Sequence, residues 1–103
     1  MDTERTASSR HEIRAPVAYW GTDLKGGGTI ANISTSGALI ERATHPVSPG
    51  TRLGILVRYF PDGAEHCSVE LTSEVIRTTD GGFAVQFKDL GPEALFLLCG
   101  LLP

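Results

Sequence analysis

The chain has little cysteine: Cys67 and Cys99 are the only two in 103 residues, with no C-x-x-C pair and no closely spaced histidine partner. That excludes a multi-disulfide scaffold and a cysteine-based zinc site. The two are read as buried thiols, with a single disulfide between them as the alternative. No apolar run approaches the roughly 20 residues of a membrane-spanning helix, and Met1 to Ser9 lacks the apolar stretch of a signal peptide. A cytoplasmic protein without membrane insertion is expected. An excess of positive charge is also missing: 9 Lys and Arg stand against 12 Asp and Glu, a net charge of -3. With one Trp, two Tyr and four Phe, the chain offers no basic groove lined by aromatics, which disfavours DNA and RNA as partners. His11, His45 and His66 are isolated, and no Ser-His-Asp or Cys-His order or defined carboxylate pair can be drawn. Neither an enzyme, a metal site nor a cofactor is expected.

What is present is an ordinary globular composition, 41% apolar and 20% charged, at a length that suits one domain. Met1 to Ser9 is polar and mixed in charge and reads as a mobile tail, leaving residues 10–103 as the domain. Pro16 disfavours helix at Ala15, so Arg10 to Ala15 reads as a loop leading into a first strand over Val17 to Trp20. Asp23 to Gly28 reads as a turn, because Gly26, Gly27 and Gly28 tolerate any φ. Thr29 to Ile33 and Ala38 to Glu41 read as strands joined by a tight corner at Ser34 to Gly37. Arg52 to Tyr59 alternates, with Leu53, Ile55, Val57 and Tyr59 on one face. Cys67 to Thr78 does the same with Val69, Leu71, Ser73 and Val75, and Phe83, Val85 and Phe87 mark the last strand. Gly91-Pro92-Glu93 then opens a helix that is apolar nearly all round through Leu95, Phe96, Leu97, Leu98, Leu101 and Leu102. Such a helix plugs the barrel or forms an interface, including one between two copies of the chain. The whole predicts a mainly β fold: a six-stranded antiparallel barrel with a C-terminal helix.

Two polar clusters flank the first strand. Arg10-His11-Glu12-Ile13-Arg14 reads R-x-x-x-R, and Asn32-Ile33-Ser34-Thr35-Ser36-Gly37 reads N-x-S-x-x-G. Guanidiniums grip phosphates or a guanine edge through a planar fork of donors. An amide and a hydroxyl supply neutral donors and acceptors for a base or ribose. Singly, the first has a plainer reading as a solvated loop and the second as a structural turn. Together they suit an anionic guanine nucleotide.

In these motifs the chain resembles the PilZ domain, the bacterial receptor module for cyclic di-GMP. The likeness continues in His45-Pro46-Val47-Ser48-Pro49-Gly50-Thr51-Arg52-Leu53, in Val75-Ile76-Arg77, and in Gly82-Phe83-Ala84-Val85-Gln86-Phe87. The resemblance implies a PilZ-type barrel over residues 10–103 that binds cyclic di-GMP and relays the signal to an effector protein. By the same resemblance Arg10 and Arg14 would wrap over the ligand, Asn32 and Ser34 would hydrogen-bond it, and Gly37 would allow its close approach. Ser36 and Arg77 are further candidates for ligand contact. Arg77 stands where many members carry an aromatic, and it reads either as a cation–π partner of a guanine or as a solvated residue. Ala84 replaces a glycine common in the family. Ser9, small where a bulky basic residue accompanies an intercalated ligand dimer, implies one nucleotide per domain. The arm before Val17 would be the switch, folding over the nucleotide. The competing function is an adaptor of the same fold that works through protein contacts without a nucleotide.

Overall fold

The computed structural model describes residues 11–59, 67–92 and 94, and for residues 11–13, 59 and 67 it describes the backbone alone. Six strands form: β1 (His11–Trp20), β2 (Lys25–Ile33), β3 (Gly37–Glu41), β4 (Arg52–Tyr59), β5 (Cys67–Thr79) and β6 (Gly82–Lys88). Every pairing is antiparallel, and the order β1-β2-β3-β6-β5-β4 closes into a barrel.

Alternation in the sequence becomes inside and outside. Val17, Tyr19, Ile30, Ile40, Leu53, Ile55, Val57, Val69, Leu71, Val75, Phe83 and Val85 fill the interior. Burying each large side chain stabilises the barrel by roughly 1.5–3 kcal/mol. Ser73 is a buried polar residue among them; its hydroxyl donates to the Leu53 carbonyl at 3.2 Å, so it carries no unpaired donor. Tyr19 meets Phe83 edge to face with ring centroids 5.0 Å apart.

Two expectations need correction. β1 starts at His11 rather than Val17, so Arg14 sits within a strand and not on a loop. Pro16 does not prevent this, because among the described residues that stretch of β1 pairs with β2 only and contact with β4 begins at Val17. A proline on a half-paired stretch is compatible with a missing ladder donor. Likewise β2 starts at Lys25, so Gly26 to Gly28 are strand residues and the turn is shorter, closed by Gly21 N–H donating to the Leu24 carbonyl. Gly26 is there for space: the Tyr19 ring lies over it, 2.5 Å from where a Cβ would stand.

The β3–β4 connection crosses one end of the barrel and is tied down along its length. The Tyr19 hydroxyl donates to the His45 carbonyl at 2.6 Å and accepts from the His45 amide at 3.0 Å. Ala43 N–H donates to Gly81 and Thr44 N–H to Gly27. Half-buried Ala43 and Val47 close the core at that end. The C-terminal helix expected after Gly91 falls, Pro92 and Ala94 aside, outside the described residues, as do the tail over residues 1–9 and Arg10. Among the described residues no helix is long and apolar enough to cross a membrane.

Candidate ligand site

The register brings the two sequence clusters together. His11 pairs with Ile33 and Glu12 with Asn32, so the R-x-x-x-R stretch and the start of N-x-S-x-x-G lie on neighbouring strands. Between Glu12 and Ala15 the register shifts, with Ile13 and Arg14 opposing Ala31 alone. That extra residue is a bulge, a device that bends a strand and re-aims its side chains. β2 carries its own shift toward β3 at Ala31, and β5 carries one at Ile76. Two of these bulges, on β1 and β2, therefore adjoin Arg14 and Asn32, and the third lies beside Arg77.

Arg14 is strongly exposed, and its Nη1 lies 3.4 Å from Oε1 of Glu41, the last residue of β3. This carboxylate partner was missed by the sequence reading, although Leu39 and Glu41 alternate outward with Ala38 and Ile40 and could have signalled it. Arg14, Pro16, Thr29, Glu41 and Arg42 line an open cavity of about 440 Å³.

Ser34 is turned inward, 3% exposed. Its hydroxyl accepts the amides of Ser36 at 3.1 Å and Gly37 at 3.3 Å, while its own amide donates to the Gly37 carbonyl at 2.9 Å. Serine here folds the corner between β2 and β3. Ser36 is exposed; its Oγ lies 3.1 Å from that of Ser34, and its carbonyl accepts the Phe87 amide. Gly37 has a structural reason of its own: a Cβ there would run into the Val85 carbonyl of β6. Half-buried Asn32 begins a cross-strand row that runs through half-buried Leu39 and fully buried Ala84 to exposed Arg77. Three strand spacings separate Asn32 from Arg77, roughly 15 Å. The apolar pair Leu39 and Ala84 lies between them.

A PilZ domain model matches residues 4–98. Among solved structures the chain is similar to the PilZ domain of CeSA from a cellulose synthesizing bacterium, with a TM-score of 0.67 and 21% identity over 91% of this chain and 98% of that one. It is also similar to the Bacillus subtilis inhibitor of motility MotI/DgrA, with a TM-score of 0.75 and 14% identity over 96% of this chain and 50% of that one. At those identities the likeness concerns the fold. Among curated proteins no sequence relative is found. With a family match over nearly its whole length and a barrel shared with PilZ structures, the chain belongs to the PilZ domain family.

Proposed function

We propose that the chain is a receptor for cyclic di-GMP that relays binding to a partner protein. The observation that carries this reading is the pairing of Glu12 with Asn32, which sets the arginine-bearing strand beside the N-x-S-x-x-G corner. Arg14 at its bulge supplies a guanidinium to a phosphate or guanine edge, joined by Arg10 from the preceding residues. The Asn32 amide serves a base or ribose, and exposed Ser36 offers a hydroxyl at the rim of the corner. Ser34 and Gly37 contribute by building that corner, and half-buried Leu39, paired with Asn32 across β2 and β3, offers a purine an apolar neighbour beside it. Titration of the protein with cyclic di-GMP by calorimetry tests this; saturable binding with one nucleotide per domain is expected, and no heat at millimolar nucleotide would reject it.

One observation favours the adaptor reading. Ser34 and Gly37 have complete structural roles in the barrel, so the corner motif needs no ligand to account for it. Ile76, at the β5 bulge, is 47% exposed and is the large apolar side chain a protein partner would find on this wall among the described residues. The same titration separates the two readings.

A further inference from the structure

The cavity bounded by Arg14, Pro16, Thr29, Glu41 and Arg42 contains a cation already matched by an anion. Pro16 pairs with Thr29 and Thr29 with Glu41, a cross-strand row that sets the Glu41 carboxylate on the same outer wall as Arg14. Neither side chain of the ion pair is buried: Arg14 is 72% exposed and Glu41 45%. Beyond Glu41 the chain leaves β3 through Arg42, whose φ of 56° is left-handed, and Arg42 lines the same cavity.

We infer that Glu41 is the resident counter-ion of Arg14, which an anionic ligand must displace, so that Glu41 sets the affinity of the site. The inference rests on the reading that Arg14 takes a phosphate of a cyclic dinucleotide. A phosphate and a carboxylate on one guanidinium put like charges in contact, so binding requires the carboxylate to leave or to pay the repulsion. The pair is exposed and held at 3.4 Å, so release is easy. Glu41 thus keeps the guanidinium on the outer wall in the free protein and lowers affinity severalfold without abolishing it. Arg42, on the same cavity, offers the released carboxylate another guanidinium. Glu41 acts through Arg14 and is a positioning residue.

Calorimetry with cyclic di-GMP on the unmodified chain and on Glu41→Gln, at low salt and near 1 M salt, tests this. Glutamine keeps the shape and removes the charge. The substitution is expected to tighten binding about two- to fivefold at low salt. The gain should disappear near 1 M salt, where the screening length falls from about 10 Å to about 3 Å. Equal or weaker binding by Glu41→Gln while the unmodified chain binds would overturn the inference and leave the receptor reading standing. A gain that persists unchanged in high salt would also overturn it, since it would come from packing rather than charge. Binding by Glu41→Gln alone would overturn the severalfold effect inferred for Glu41 and reject the native chain as a receptor; binding by neither would reject both.

Discussion

Arg14 and Ser34 separate the two tasks that the motifs combine. Arg14 is exposed on the outer wall and its ion pair with Glu41 is of the surface kind, which contributes about 0–1 kcal/mol. Arg14→Ala should therefore leave stability within about 0.5 kcal/mol. It should weaken cyclic di-GMP binding roughly tenfold or more, because charge-assisted bonds are worth about 1.5–3 kcal/mol. Calorimetry alongside urea denaturation checks both halves, and tight binding by the variant would remove Arg14 from the site. Ser34 carries the opposite expectation. Its hydroxyl accepts two amides at the corner, so Ser34→Ala should cost about 1–3 kcal/mol through buried donors left without partners. Ser36→Ala, at an exposed position, should shift the urea midpoint little. Equal midpoints for the two variants would contradict the inward role of Ser34.

The strands show which sequence signals were sufficient. Alternation in Leu53–Val57 and Val69–Val75 names the buried face correctly, because a period of two has one physical meaning in a half-buried strand. In β6 it names Phe83, Val85 and Phe87 but misses Ala84, which is buried as well. β1 and β2 were read too short, for reasons the local sequence does not carry. Proline is unfavourable in a strand only where its N–H is needed, and that depends on which neighbour pairs there. The glycines of β2 look like a turn until the Tyr19 ring is seen over Gly26. The site was legible as residue types in order, Arg14 near Asn32, but the division of labour between Ser34 and Ser36, and the presence of Glu41, depend on strand register. Tyr19 also governs an element it does not belong to, since its hydroxyl holds both the amide and the carbonyl of His45 on the β3–β4 connection. Tyr19→Phe keeps the ring packed on Phe83 and removes both bonds. A loss of about 1–2 kcal/mol is expected, together with faster amide exchange at His45 than at core strand amides. Unchanged exchange at His45 would mean the connection is held by its other bonds alone.

At the scale of the molecule, the closed antiparallel barrel makes ligand binding readable as stability. The candidate ligand contacts belong to different strands: Arg14 to β1, Asn32 to β2, Arg77 to β5. A ligand bridging them attaches only to the folded barrel, because unfolding scatters its contacts. Binding to the native state alone adds RT ln(1 + [L]/Kd), about 2.7 kcal/mol at a hundredfold excess over Kd. For a domain of this size each kcal/mol raises the melting temperature by about 4–8 °C. Cyclic di-GMP at a hundred times its calorimetric Kd should therefore raise the midpoint by roughly 10–20 °C, read by circular dichroism or calorimetric melting. Net charge of -3 gives no general attraction for a dianion, so the shift must come from the local guanidiniums. Arg14→Ala at the same nucleotide concentration should lose most of it, and linear GMP, with one phosphate and no second base, should give a much smaller one. A barrel that melts cooperatively at one midpoint with and without millimolar cyclic di-GMP would leave the adaptor reading as the function of this fold.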